Sequence, residues 1–176
     1  MWQIFLAAFV TGFLFIGVAV VDEIKAAEGK PALDSAPAIQ INPIGVVKRQ
    51  GDRARIEIRP ELAPALEGLE GFSHVWVLYW FHKNDRPEER AILKVHPRRN
   101  PENPLTGVFG TRAPVRPNLT GLSACRIVSL KNNVLEVEGL DALEDSPVLD
   151  LKPYLPSIDA LPKARTPEWV KKNERW

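Results

Sequence analysis

A single cysteine, Cys125, stands in a chain of 176 residues. It excludes an intramolecular disulfide and a cysteine-rich zinc site, so the fold must rest on its apolar core. Only three histidines occur, His74, His82 and His96, too scattered to propose a metal centre. No glycine-rich turn joins a strand to a helix and no βαβ alternation runs along the chain, which excludes a dinucleotide-binding Rossmann domain. Sixteen prolines, none before Pro31, exclude long helices beyond that point. Excess charge of one sign is also missing: 23 Lys and Arg face 22 Asp and Glu. With 45% apolar and 26% charged residues the chain is neither disordered throughout nor a multi-span membrane protein. Its length predicts one domain, and no internal repeat is visible.

One long apolar run does exist. Met1 to Val21 carries no charge and is interrupted only by Gln3, Thr11, Gly12 and Gly17. As a helix it matches the ~30 Å hydrocarbon core of a bilayer, so residues 1–21 read as an N-terminal anchor. A cleaved signal peptide is the rival. No Lys or Arg precedes the run, however, and Ile24 or Lys25 would sit where cleavage wants a small residue. A wrongly chosen start is the third reading. Lys25 and Lys30 follow the span and none precedes it, which expects a membrane-anchored domain facing the cytoplasm; with a wrong start the chain is simply cytoplasmic. Residues 22–40, rich in Ala, Pro, Glu and Lys, read as a linker, residues 41–162 as the domain and 163–176 as a tail.

Within the domain the apolar signal is short and strand-like. Arg53–Ile58 alternates, with Ala54, Ile56 and Ile58 on one face and Arg53, Arg55 and Glu57 on the other. Val75–Phe81 is an unbroken β-branched and aromatic run, the pattern of a strand covered on both faces, and His74 before it reads as a core histidine. Leu122–Leu130 and Val134–Val137 flank Lys131-Asn132-Asn133, which predicts an antiparallel hairpin. Pro60–Glu67, closed by Gly68, and Pro156–Lys163 predict short helical turns. Together these predict an all-β architecture with minor helices, an antiparallel barrel or rolled sheet, behind one N-terminal hydrophobic helix.

Charge is partitioned inside this domain. Lys83–Lys131 holds ten basic and four acidic side chains, while Asn132–Leu161 holds one and seven. The basic stretch suits a polyanion, or it pairs with the acidic stretch within the fold or across a dimer. Its centre, Gly107–Ser123, contains Pro114 and Pro117, which fix two backbone angles and stiffen a loop bearing Arg112, Arg116 and Asn118. Two guanidinium groups on a stiff loop suit a carboxylate, a phosphate or a purine edge; the plain alternative is two surface arginines in a turn.

Four segments resemble the tRNA threonylcarbamoyladenosine methyltransferases, the TsaA-like (TrmO-type) group. They are Ile44–Val47, Leu66–Val77 with Phe81-His82, the loop Gly107–Ser123 and the closing block Pro147–Pro156. The resemblance covers roughly Asn42 to Pro162. It implies a single-sheet antiparallel barrel, a homodimer, S-adenosylmethionine (SAM) as cofactor, and methylation of the exocyclic N6 of threonylcarbamoyladenosine beside the tRNA anticodon. By matched position, cofactor contacts fall on His82, Lys83, Arg112, Leu122, Glu144, Asp145, Ser146 and Pro147.

Each has a plainer rival: Arg112 as a loop brace, Leu122 as core, His82 as a strand cap, Glu144 and Asp145 as an ordinary acidic turn. His82 is the candidate base, because a substituted exocyclic nitrogen is a poor nucleophile. Arg116 and Asn118 are candidates for the RNA side, with Arg98 and Arg99 on phosphates. The chain departs from the family pattern in three places. Glu144-Asp145-Ser146-Pro147 replaces Asp-Gly-Thr-Pro, Asn118-Leu119-Thr120-Gly121 replaces Asn-Pro-Ile-Gly, and a long first loop holding a Gln-Pro-Gly cofactor contact is cut to Lys48-Arg49-Gln50-Gly51. The short loop predicts a more open cofactor pocket. The competing functions are a non-catalytic SAM- or nucleotide-binding module and a SAM-dependent enzyme for a small molecule.

Overall fold

The alternation of Arg53–Ile58 (β2) is what turns a strand into a barrel stave: in the computed structural model Ala54, Ile56 and Ile58 are buried and Arg53 and Arg55 face water. The structure describes residues 39–171. The chain divides into two units, Met1–Gln40 and Ile41–Trp176, and the strands of the described residues lie in the second. β1 (Gly45–Gln50) pairs with β2 through a two-residue turn in which Gly51 has φ 59°, a left-handed angle that glycine adopts without strain. β3 (His74–Trp80) follows, then a two-stranded ribbon of β4 (Lys94–Val95) and β5 (Thr106–Gly107). β6 (Thr120–Lys131), β7 (Val134–Glu138) and β8 (Pro147–Pro153) complete the set.

Six strands close in the order β1-β2-β7-β6-β3-β8, every pairing antiparallel. Closure leaves no open edge, so every stave is paired on both sides. The interior is packed by Val47, Ile56, Val75, Val77, Tyr79, Cys125, Leu135, Val137 and Val148, each at most 3% exposed. The β6–β7 hairpin forms as its sequence predicts, with Asn132 at φ 56° in a two-residue turn. Pro60–Leu66 and Pro156–Asp159 are short helices, and Gly68 at φ 84° redirects the chain after the first.

Three expectations are corrected here. Val75–Phe81 is not covered on both faces. A single closed sheet has one interior, so Val75, Val77 and Tyr79 fill it while Trp76, Leu78 and Trp80 lie half-exposed outside. Trp76 is met there by Tyr154 at 5.6 Å and Trp80 by the Arg90 guanidinium at 5.3 Å. His74, on the same outer face, is exposed and bonds Ser73 Oγ at 2.9 Å rather than sitting in the core. The membrane-anchored location is also corrected. Among the described residues no helix is long and apolar enough to cross a membrane, the longest being the seven residues of Pro60–Leu66. The N-terminal helix expected over 1–21 and the linker up to residue 38 lie outside the described residues.

Candidate functional site

Antiparallel order brings chain-distant strand ends to one rim of the barrel. The pairs Gln50↔Arg53, Arg53↔Glu138, Trp80↔Thr120 and Tyr79↔Val148 place the ends of β1, β3 and β7 beside the starts of β2, β6 and β8. Residues 82–119 leave this rim after β3 and return to it before β6, where the Phe81 N–H donates to the Leu119 carbonyl at 2.8 Å.

The turn Glu144–Ser146 continues the ladder along β1. Val47 N–H donates to the Ser146 carbonyl at 3.0 Å, and Asp145 N–H to the Val47 carbonyl at 2.9 Å. Asp145 has φ 62°, the left-handed region that disfavours a side chain. Its carboxylate lies 2.5 Å from Lys48 Nζ, while Arg49 N–H donates to Glu144 Oε2 at 2.5 Å and Arg49 Nη1 to the Leu140 carbonyl at 2.8 Å. The Lys48 hydrogen bond holds the Asp145 carboxyl below its usual range, and the same bond raises Lys48. Lys48, Arg49 and Gln50, expected as the first loop, are instead the end of β1, because they pair with Arg55, Ala54 and Arg53, and from that strand Lys48 and Arg49 meet the acidic turn.

His82 joins this cluster from the end of β3. Its Nδ1 lies 3.3 Å from Ser146 Oγ, with Ser146 buried, and its Nε2 is buried without a hydrogen-bond partner. Lys83 is exposed, and its charge also acts on Asp145. His82, Lys83 and Glu144–Pro147, more than sixty positions apart in sequence, are therefore one cluster.

Arg112 and Leu122 form a second pair on the rim. Arg112 Nη1 donates to the Leu122 carbonyl at 3.3 Å; the guanidinium is exposed and Leu122 is 44% exposed, so it is not core. The charge of Arg112 also acts on Tyr79, whose phenol is pushed up chiefly by burial. The Tyr79 hydroxyl donates to the Asp141 carbonyl, and Asp141 N–H donates to Ser123 Oγ at 3.5 Å. The segment Leu140–Ser146 is thus held by Arg49, Lys48, Tyr79, Ser123 and His82.

The stiff loop owes its shape to two other arginines. Arg116 is half-buried and turned inward: it donates to the carbonyls of Ala113 at 3.0 Å, Val108 at 2.9 Å and Thr111 at 2.8 Å. Arg90 donates to the Pro117 carbonyl at 3.0 Å and to Asp85 at 2.9 Å, and Trp80 Nε1 donates to the same Asp85 at 3.0 Å. Asn118 is exposed beside this brace. Arg98 and Arg99 lie exposed on the turn beyond β4. The block of basic residues does not simply meet the acidic one: Arg126 reaches Glu138, but Glu144 and Asp145 are taken by Lys48 and Arg49.

Sequence reasoning missed Arg49, Tyr79, Ser123, Asp141 and Arg90. Tyr79 left a faint signal, a hydroxyl at an inward position of an apolar strand, which must find a partner when buried. Arg49 and Arg90 left none, since the contacts that tie them to the site, to the Leu140 and Pro117 carbonyls, are made with main chain distant in sequence. Among the described residues no cluster of side chains suits a metal ion.

The sequence matches the tRNA-methyltransferase O N-terminal domain family over residues 31–160. A protein of Methanocaldococcus jannaschii, named a probable S-adenosyl-L-methionine-binding protein, is 40% identical over 119 residues, covering 68% of this chain and 94% of that one. A human protein named tRNA (adenine(37)-N6)-methyltransferase is 43% identical over 108 residues, 61% of this chain and 23% of the human one. Among solved structures, TrmO from Pseudomonas aeruginosa superposes with a TM-score of 0.60 at 32% identity, covering 76% of this chain. The chain spans 62% of that structure's length.

Proposed function

The chain belongs to the tRNA-methyltransferase O family, and from that premise we propose that it is a SAM-dependent tRNA methyltransferase whose acceptor is the N6 of threonylcarbamoyladenosine beside the anticodon. The observation that carries this reading is the meeting of His82, Lys83 and Glu144–Pro147 on the rim that also holds Arg112 and Leu122.

The residues present fit the cofactor. Buried His82 Nε2 has no partner of its own, an exposed guanidinium stands on Arg112, and Leu122 leaves an apolar surface open to a purine. When bound, SAM supplies a methyl group activated on a sulfonium, so the protein's main task is alignment. Arg112 suits a carboxylate, by a charge-assisted bond worth ~1.5–3 kcal/mol. Lys48 and Arg49 fix the left-handed turn at Asp145, and through Ser146 that turn orients the His82 ring. With Nδ1–H donated to Ser146, Nε2 keeps its lone pair and takes the proton from the acceptor nitrogen. Arg116 enters this reading as the clasp of the stiff loop rather than as an RNA contact. The homodimer belongs to the same proposal, and light scattering at twice the chain mass tests it.

A binding module without turnover is favoured by one feature, the first hairpin reduced to the Gly51-Asp52 turn. The two readings part in one experiment. The full chain is incubated with SAM and tRNA bearing threonylcarbamoyladenosine, and nucleosides are analysed by mass spectrometry. Methylated product is expected, with His82→Ala slowing turnover by about 100-fold, the low end of general-base effects. SAM binding with no methyl transfer would select the module, and unchanged turnover in His82→Ala would remove the base.

A further inference from the structure

The excursion from the rim reverses at Pro97–Asn103, and this reversal is strained. Pro97 is buried, while Arg98 (φ 60°, ψ 19°) and Arg99 (φ 57°) are both exposed and both left-handed. Positive φ is uncommon for non-glycine residues, with Asn, Asp and His enriched, because the side chain crowds the backbone carbonyl there. Glycine or asparagine would make the same turn more easily. Two successive arginines there oppose the local preference twice.

The surroundings hold the strain in place. Asn103 is 6% exposed and its Nδ2 donates to the Pro97 carbonyl at 2.9 Å, while its carbonyl lies 2.7 Å from His96 Nδ1. Arg99 N–H donates to the His96 carbonyl at 3.0 Å, Asn100 N–H to the Pro97 carbonyl at 3.2 Å, and Asn103 N–H to the Asn100 carbonyl at 3.1 Å. Unfavourable backbone that is clamped this firmly clusters at sites where function uses it. What the turn displays is two guanidinium groups, on the same excursion that carries Arg112 and Asn118.

We propose that Pro97–Asn103 is a phosphate-gripping knuckle for the ribose-phosphate backbone of tRNA, in which stability is given up to fix Arg98 and Arg99 on a rigid turn. It rests on the tRNA reading above and adds to it where, and by what device, the nucleic acid is gripped. Asn103 acts through the arginines and is a positioning residue.

The test compares the full chain with Arg98→Gly/Arg99→Gly and Arg98→Lys/Arg99→Lys. Glycine relieves the backbone while deleting both charges; lysine keeps the charges. The measurements are thermal melting, SAM titration, tRNA affinity from ~50 to ~200 mM KCl, and methyl-transfer kinetics. The glycine pair is expected to melt at or above the wild-type temperature and to bind SAM as wild type does. Its tRNA affinity falls about tenfold at low salt, and the slope of log K against log salt drops by about 1.5, near two phosphate contacts. KM for tRNA rises with kcat nearly constant, and the lysine pair keeps the wild-type salt slope. A glycine pair with wild-type tRNA affinity and slope overturns the knuckle, as does one that melts well below wild type. If the wild-type chain binds tRNA and methylates it, either result sinks the knuckle alone; a wild-type chain that does neither sinks both readings.

Discussion

Gly121 offers a sharp test of how the barrel and the rim depend on each other. A Cβ added there would lie 2.4, 2.6 and 2.9 Å from Tyr79 ring carbons. Ordinary carbon contacts need ~3.5–4.0 Å, so the ring must retreat by about 1 Å. It has little freedom to do so: Tyr79 is 3% exposed, its ring meets Phe81 edge-on at 5.4 Å, and its hydroxyl is committed to the Asp141 carbonyl. Overpacking of this kind destabilises by ~1–3 kcal/mol, and pulling the hydroxyl off a half-buried carbonyl adds about 1 kcal/mol. Gly121→Ala is therefore expected to lose about 2–4 kcal/mol, a fall of roughly 10 °C in Tm for a domain of this size. Circular dichroism melts measure it. Tyr79→Phe, which keeps the ring and deletes only the bond, loses about 1 kcal/mol. Tyr79→Leu combined with Gly121→Ala is expected to lose less than the two single changes together, because the clash has been removed. A Gly121→Ala protein melting within about 2 °C of wild type refutes the argument.

Cys125 is fully buried and its thiol is pushed up to about 12 by burial. Because the thiolate is the reacting form, native protein at pH 8 is expected to leave a disulfide-exchange reagent unreacted while denatured protein consumes it at once; rapid labelling of the native chain contradicts this. Asp145 is held low by Lys48 and Glu138 by Arg126. A depressed carboxyl contributes stability above its unfolded pKa of ~4 that is lost as pH falls through the lower folded value. The Tm gap between wild type and Lys48→Met is thus expected to be largest near neutrality and to shrink in acid. Because Lys48 is raised, the gap shrinks again only when pH climbs past that residue's folded value. A gap that widens in acid contradicts the pairing.

Much of the barrel is written in local pattern. Ala54, Ile56 and Ile58 alternate because one face meets the interior, and Asn132 marks its hairpin because it accepts a left-handed angle. Strand closure is not local: nothing near Val46 foretells its pairing with Pro147, and the aromatic run Val75–Phe81 misleads because outward tryptophans pack on side chains rather than on a second layer. The site divides the same way. His82 and Glu144–Pro147 are visible as matched motifs, yet the struts that make them one cluster are bonds from Lys48, Arg49 and Tyr79 to distant loops. Arg116 shows the limit most clearly. A guanidinium on a stiff loop reads alike from sequence whether it faces solvent or, as here, the loop's own carbonyls.

Residues 82–118 depart and come back through adjacent hydrogen-bonded positions, Trp80 opposite Thr120 and Phe81 against Leu119. A segment pinched at its neck can vary in its outer ribbon, β4 and β5, with strand register still fixed at the rim. Nearer the neck it is tied to the staves, His82 to Ser146 and Arg112 to Leu122, and there a change of residue is felt at the rim. Ribbon and scaffold can then evolve at separate tempos in one short polypeptide.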